Sequence, residues 1–174
     1  FSVTTAIQAG RIARERDRAN REGEAAERVS SFLTSLFEIS DPSEARGNAL
    51  TARELLDKGA ERIDKELESE PELRARLLIT LADVYRNLGL LSRAENLITR
   101  CVELRQKVLG PTHQETLRAL TLQGAIYNMQ GRYPQAEEVL YKTLETERRL
   151  LGEDHPDTLK IENNLATTYV YMGR

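Results

Sequence analysis

The residue types that most often bind metals or act as nucleophiles are rare in this sequence of 174 residues, which has two histidines and one cysteine. His113 and His155 occupy the same place in two similar segments, LGPTHQETL at 109–117 and LGEDHPDTL at 151–159. Zinc sites combine several histidine, cysteine or carboxylate ligands at short spacing. Each histidine here stands outside such a cluster, so we interpret both as loop residues. We expect neither a metal nor a cofactor.

The rest of the sequence also lacks the side chains of a recognisable active site. It contains no nucleophile with a partner histidine and no glycine-rich phosphate loop, so we expect this chain not to be an enzyme. Its only cysteine, Cys101, excludes an intrachain disulfide. The 25 basic and 28 acidic side chains argue against a nucleic-acid binder, which would carry a basic excess. No apolar run reaches about 18 residues, and we expect this part of the chain to be soluble.

A period of 42 residues relates the two segments and extends well beyond them. Stepping by 42 aligns small, aromatic and aliphatic residues: Gly89, Gly131 and Gly173; Tyr85, Tyr127 and Tyr169; Ala52, Ala94 and Ala136; Leu67, Leu109 and Leu151. A fixed period of this length is typical of stacked helical repeats. Within one period, apolar residues at helical spacing predict two helices, in 117–131 and 135–152, closed by Gly131 and Gly152.

The repeated segments are therefore predicted to be the turns between successive units. A glycine ends one helix, a short polar loop follows, and the histidine opens the next helix. Pro156 suits the first turn of a helix, because the N–H that proline lacks is not needed there. In the earlier copy, Thr112 and Glu115 have the spacing of a capping box.

The order of small residues, tyrosines and glycines identifies a family. A small residue, Tyr, Gly and Ala follow one another twice, as Ala82–Tyr85–Gly89–Ala94 and Gly124–Tyr127–Gly131–Ala136. This pattern resembles the tetratricopeptide repeat, and the 42-residue period with the phrase HPDTL…NNLA resembles its kinesin light chain type. The resemblance covers 73–174, about two and a half units. It implies an all-α fold, a right-handed superhelix of antiparallel helix pairs with a concave groove that binds protein or peptide.

Residues 29–72 are interpreted as a divergent capping helix pair, since terminal repeats are often atypical. The first of these helices is predicted to end at Asp41-Pro42. The phrase VSSFLTSLFEISDP…ARGNALTARELLDKGAERI also resembles the segment that joins a membrane span to C-terminal repeats in some bacterial serine/threonine protein kinases. This resemblance implies a kinase domain before Phe1, although the sequence itself contains no kinase motif. We expect both ends of the sequence to continue into a longer protein.

Residues 1–28 are predicted to form a charged N-terminal helical arm. The stretch 11–28 contains six arginines and five acidic residues, several of opposite sign at (i, i+4) spacing, which favours a solvated helix. The kinase resemblance would make this arm a juxtamembrane stalk. An RNA-binding arm is disfavoured by the interleaved acids and the absence of aromatic residues from 11–28. A coiled-coil seam is a further alternative, since an apolar residue recurs every seven positions: Ile12, Ala19, Ala26 and Leu33.

The resemblance also implies where a partner would bind, because the first helix of each pair lines the groove in this family. The candidate groove residues are Arg76, Ile79, Asp83, Arg86, Asn87, Arg118, Thr121, Asn128, Met129, Lys160, Asn163 and Tyr171. One column, Arg76, Arg118 and Lys160, is basic in every unit and favours an acidic or extended peptide. The alternative is that these are solvated surface side chains. Some members of the family bind the C-terminal carboxylate of a partner through Lys, Arg and Asn side chains of the groove. We expect this carboxylate site to be absent here, because Asn163 is the only such residue at the corresponding positions.

Three functions remain open at the level of sequence. The chain is interpreted as a regulatory or sensory protein-interaction module of a bacterial kinase, placed beside the inner membrane on the far side from the kinase domain. The first alternative is a free-standing cytoplasmic adaptor akin to kinesin light chain. The second is a self-association module. The sequence specifies neither the partner nor the oligomeric state.

Overall fold

The structure is a computed structural model that describes residues 2–38 and 52–173. Over these ranges it contains no β-strand, and its helices are α1 (Ser2–Glu38), α2 (Ala52–Glu66), α3 (Pro71–Asn87), α4 (Leu91–Leu109), α5 (Gln114–Met129), α6 (Tyr133–Leu151) and α7 (Pro156–Tyr171). Ala, Leu, Glu and Arg dominate the composition and all favour helix. The predicted all-α fold is confirmed.

The first of two compact units, Phe1–Gly59, contains α1 and the first half of α2. α1 runs without a break through 2–38, so the charged arm and the amphipathic segment that follows it belong to one helix. Ile12, on the charged stretch, is 65% exposed. The predicted helix end at Asp41-Pro42 lies outside the described residues. Within the described ranges, no helix combines the length and the apolar character needed to span a bilayer.

The second unit, Ala60–Arg174, is a stack of helix pairs. α3 packs against α4 and α5 against α6, while α4 and α6 each also pack on the first helix of the next pair. α5 contacts both α3 and α7, so the first helices of successive pairs lie side by side. Large buried side chains fill the seams: Leu77, Leu81, Tyr85, Ile98, Ile126, Leu140 and Ile161. This arrangement is the array of helix pairs that the sequence predicts.

A missing side chain at position 124 lets α5 and α6 approach closely. A Cβ atom at Gly124 would lie 2.5 Å from Cγ of Leu140, which is too short for any real contact. Ala82, in the same column one repeat earlier, is fully buried. Ala166, one repeat later, is exposed. The column of small residues is therefore a packing position wherever a second helix covers it.

The turns between pairs have the predicted construction. Gly110 and Gly152 follow α4 and α6 with φ angles of 92° each, a left-handed region that glycine occupies without strain. His113 and His155 are the N-cap residues of α5 and α7. The interpretation of both histidines as turn residues is thus confirmed.

The N-cap of α5 differs in detail from the prediction. Nδ1 of His113 accepts a hydrogen bond from the backbone N–H of Glu115 at 3.2 Å. The capping box expected of Thr112 and Glu115 is therefore wrong, because the helix begins one residue later and an imidazole nitrogen replaces the hydroxyl. The hydroxyl of Thr116 instead donates to the carbonyl of Gly110 at 2.8 Å and ties the turn to its own helix.

Cys101 lies fully buried in α4. Its Sγ is 3.3 Å from the carbonyl oxygen of Ala75, to which it donates. Burial raises the pKa of the Cys101 thiol from 9.0 to about 11. Because the thiolate is the reactive form, we expect Cys101 to react with an aromatic disulfide reagent far more slowly in the native chain than in denaturant, at about pH 8.

The raised pKa of Cys101 also makes the free energy of unfolding depend on pH. A folded-state pKa above the unfolded value of 9.0 means that folding favours the protonated thiol. Its contribution to the free energy of unfolding is complete below about pH 9 and is lost as the pH rises toward 11. Comparison of wild type with Cys101→Ala by chemical denaturation at both ends of this window tests the slope. In the thiol-labelling experiment, a native chain that reacted with the disulfide reagent as fast as the denatured chain would contradict the burial of Cys101.

Candidate peptide-binding groove

A cavity of about 550 Å³ lies between α3, α5 and α7 in the second unit. This volume falls in the range of side-chain and small-ligand pockets. Among its lining residues, Glu147 comes from α6 and all the others come from the three first helices: Ile79, Thr80, Asp83, Val84, Arg86, Leu117, Arg118, Thr121, Leu122, Ala125, Asp157, Lys160, Ile161 and Asn164. The cavity therefore has apolar walls and several charged groups at its surface.

Half of the candidate groove residues line this cavity: Ile79, Asp83, Arg86, Arg118, Thr121 and Lys160. Arg86 is paired along its own helix with the carboxylate of Asp83 at 2.8 Å. Thr121 is buried, and its hydroxyl donates to the carbonyl of Leu117 at 2.8 Å. Thr121 therefore contributes shape to the cavity more than a free hydrogen-bonding group.

The other candidates lie outside the cavity lining: Arg76, Asn87, Asn128, Met129, Asn163 and Tyr171. Asn128 joins two repeats, since its amide donates to the carbonyl of Asn164 at 3.0 Å and accepts from Thr168 at 2.9 Å. The ring of Tyr171 stacks on Tyr133 with centroids 5.4 Å apart. These two side chains are engaged in packing between α5, α6 and α7.

The three residues of the basic column differ in their environments. Arg118 pairs with Glu115 at 2.9 Å and reaches Asp157 of the next repeat at 3.4 Å. Burial acts against the charge of Arg118, but the two carboxylates outweigh it and raise the pKa of the guanidinium. Within the described residues, Arg76 and Lys160 form no ion pair. Two cations of the column are thus available to a partner, while the third holds the repeats together.

Two acidic residues of the lining, Glu147 and Asp157, were not among the predicted groove residues. Stepping back by 42 from them reaches Arg105 and Glu115. In that earlier copy, Arg105 is 3% exposed and pairs with Glu115 at 2.8 Å. In the later copy the arginine has become a glutamate, so two carboxylates face each other. The aligned columns contained this signal, because a change from Arg to Glu at a repeat position reverses the charge.

A single amide lies between the two carboxylates of the later copy. Nε2 of Gln114 donates to Oε1 of Glu147 and, at 3.3 Å, to Asp157. The other carboxylate oxygen of Glu147, Oε2, is buried and has no hydrogen-bond partner. The lining of the cavity therefore includes a carboxyl group with one unsatisfied oxygen.

His155 lies beside these carboxylates, with potential ligand atoms of Glu147, His155 and Asp157 all within 4.8 Å of one another. Nδ1 of His155 already accepts the N–H of Asp157 at 3.2 Å. His113 makes the same cap one repeat earlier, beside an arginine instead of a second carboxylate. The position of His155 is thus explained by helix capping.

Stacked helix pairs and a groove along their first helices define the chain as a helical-repeat protein. A sequence model of the tetratricopeptide repeat family matches residues 73–146 and 119–174, which together cover more than half of the chain. The chain belongs to the tetratricopeptide repeat family. Membership supports protein binding in general and a role that is not enzymatic.

Comparison with solved structures supports the same fold. The crystal structure of BtubC (BKLC) from P. vanneervenii is similar, with a TM-score of 0.61 and 19% sequence identity. The match covers 95% of this chain and 65% of that chain, so this chain spans less than two thirds of that protein. At this identity the likeness concerns the fold. No curated protein matches the chain significantly.

Proposed function

We propose that this chain binds an extended peptide segment of a protein partner in the cavity between α3, α5 and α7. The observation that carries the proposal is the cavity itself, whose apolar walls accept side chains and whose charged residues orient them. Side chains such as those of Ile79, Leu117 and Ile161 form part of the apolar lining. Backbone and surface groups along the first helices would contact the rest of the peptide.

The two available cations favour acidic residues in that peptide. Arg76 is half-buried on α3 and Lys160 is exposed on α7, so both can approach a ligand carboxylate. An ion pair formed across a partly desolvated groove adds specificity and a faster association rate. The acidic residues of the peptide would therefore lie at the two ends of the groove, near these cations.

The wider role that we propose is regulatory or sensory, in the C-terminal repeat region of a bacterial serine/threonine protein kinase. The resemblance of the segment at 29–63 to such kinases supports it. The module would then lie beside the inner membrane, on the side away from the kinase domain. A free-standing cytoplasmic adaptor is the alternative. Residues preceding Phe1 in the full-length protein distinguish the two: a kinase domain followed by about 20 apolar residues favours the first.

Reversal of the available cations tests the groove. We expect Arg76→Glu/Lys160→Glu to weaken binding of peptides selected on the wild-type chain from a random displayed library, by about tenfold or more. Arg118 is left unchanged, because its ion pair with Asp157 joins two repeats. Binding is measured by fluorescence anisotropy at two salt concentrations, since the loss should shrink at high salt.

The matched control places the same charge change elsewhere. Lys107 and Arg149 are exposed on α4 and α6, which are second helices of their pairs. The variant Lys107→Glu/Arg149→Glu should therefore retain peptide affinity. Equal losses in the two double variants would mean that net charge, rather than the groove, determines binding. Full affinity in Arg76→Glu/Lys160→Glu would place the peptide on another surface.

A further inference from the structure

Glu147 has a buried carboxyl group without a cationic partner among the residues that the structure describes. Its side chain is 1% exposed, and it lines the cavity from the α6 side. Gln114 donates to Oε1, while Oε2 lacks any hydrogen-bond partner. Burial of a carboxylate costs free energy unless donors or cations compensate it. An unsatisfied buried oxygen on a residue that lines a cavity indicates a place for donors supplied by a ligand.

The preceding repeat shows which donor fits this arrangement. There the guanidinium of Arg105 donates to the carbonyl oxygen of Glu115 at 2.6 Å and to its carboxylate at 2.8 Å. Glu147 and Asp157 stand at the corresponding positions 42 residues later. The later copy has thus kept the carboxylate on the first helix of the pair and replaced the guanidinium with a second carboxylate. The buried arginine that pairs with this carboxylate in the first copy is therefore missing in the second.

We propose that the cavity binds an arginine side chain of the partner peptide, with its guanidinium hydrogen-bonded to the carboxyl groups of Glu147 and Asp157. A guanidinium carries five N–H donors in a planar fork and can bond two carboxylates at once. It would donate to Oε2 of Glu147 and to the carboxylate of Asp157. The methylene groups of the arginine would pack on the apolar wall of the cavity, which includes Leu117 and Ile161.

The surrounding charges restrict the ligand further. Arg118 approaches Asp157 from the α5 side at 3.4 Å and forms no ion pair with Glu147. Arg76 and Lys160 repel additional cations at the ends of the groove. The preferred peptide therefore carries one arginine flanked by acidic or neutral residues, rather than a basic run. This inference rests on the proposed peptide-binding function and specifies one residue of the peptide.

The test uses the whole chain and does not depend on a known partner. Blocked arginine amide (N-acetyl-arginine amide) and its neutral isostere, blocked citrulline amide, are titrated into isotopically labelled chain and followed by NMR. The side-chain amide of Gln114 is the reporter, because it touches both carboxylates. We expect arginine amide to shift this signal and citrulline amide to leave it in place. In Glu147→Gln, affinity for arginine amide should fall at least about tenfold.

Two further measurements keep the result interpretable. Glu147→Gln should melt at the same or a higher temperature than wild type, since it replaces a buried carboxyl group that faces a second carboxyl group with a neutral amide of the same shape. Glu138→Gln, on the exposed face of the same helix, is the matched control and should bind arginine amide like wild type. Equal binding of citrulline amide, or unchanged binding to Glu147→Gln, overturns the proposal. A shift by Zn²⁺ alone, without a response to arginine amide, overturns it in favour of a metal.

The proposed function and this inference fail separately. If no library peptide binds, the peptide-binding proposal fails while the arginine amide titration still decides the pocket. If library peptides bind through Arg76 and Lys160 but replacing each of their arginines with citrulline leaves affinity unchanged, the groove stands and the arginine pocket is wrong. A loss of at least about tenfold on replacing one arginine, matched by Glu147→Gln, supports both.

Discussion

Replacing Leu140 with Ala is expected to lower the free energy of unfolding by about 3 kcal/mol, within the range of about 2–5 kcal/mol for buried leucines. Leu140 is fully buried in a cluster formed by α6 and α7. The loss has two sources, the hydrophobic transfer of the deleted atoms and the cavity that remains. Chemical denaturation followed by circular dichroism measures it. Leu150→Ala, half-exposed on the same helix, should change stability by less than about 0.5 kcal/mol.

The close contact between Leu140 and Gly124 allows a second test of the packing at Leu140. In wild type, Gly124→Ala is expected to destabilise the chain, because the new Cβ would meet Cγ of Leu140 at 2.5 Å. In the Leu140→Ala background the obstructing atoms are gone, so Gly124→Ala should become stabilising through its better helix propensity, by up to about 1 kcal/mol. Additive effects of the two substitutions would contradict the close approach of α5 and α6.

Replacing Glu115 with Gln is expected to cost about 3 kcal/mol, the lower end of the effect of removing one partner from a buried ion pair. The substitution leaves the guanidinium of Arg105 buried with only neutral acceptors. Glu115 itself is about one third exposed, at 31%, and this places the estimate at the lower end. The ion pair of Glu115 with Arg118 is more exposed and should contribute less than about 1 kcal/mol.

The equivalent substitution one repeat later is the matched control. Asp157→Asn removes a carboxylate at the same helix position, but the buried residue facing it is Glu147 instead of an arginine. Its ion pair with Arg118 is longer, at 3.4 Å, and Arg118 is half-exposed. The loss of helix-dipole stabilisation is similar in both variants, so their difference reports on the facing residue. Because an exposed ion pair such as Arg118–Asp157 contributes less than about 1 kcal/mol, we expect Asp157→Asn to lower stability by at most that amount in thermal melts, far less than Glu115→Gln. Equal destabilisation by both substitutions would contradict the contrast between the two repeats.

The sequence predicted well those features that depend on neighbours within one or two helical turns. Apolar spacing, glycines with left-handed backbone and the histidine caps are local features. Each of them recurs in successive repeats, so the sequence shows it at least twice. Helix limits such as those at Gly131 and Gly152 followed from these signals. The one local error, the cap at Thr112, arose because an imidazole nitrogen can replace a hydroxyl as the acceptor.

Groove residues were harder to predict, because a groove forms between helices about one period apart in the chain. The helices named by the family register are those that line the cavity, but Asn128 and Tyr171 pack between repeats instead of lining it. Arg118, which looked like a free cation, is bound by Glu115 and Asp157. Whether a polar side chain faces a ligand or a neighbouring helix depends on distances that periodicity does not contain.

The sequence alone therefore determined the repeat, the helix pairs, the turn residues and the family, since all of these are encoded in residue types at short or periodic spacing. Only the tertiary structure decided which charges are already paired. It placed the side chain of Glu147, which lines the cavity, across from Asp157, with one carboxyl oxygen buried and unsatisfied. The physical reason is that the free energy of a buried charge depends on every group around it, and those groups come from separate helices.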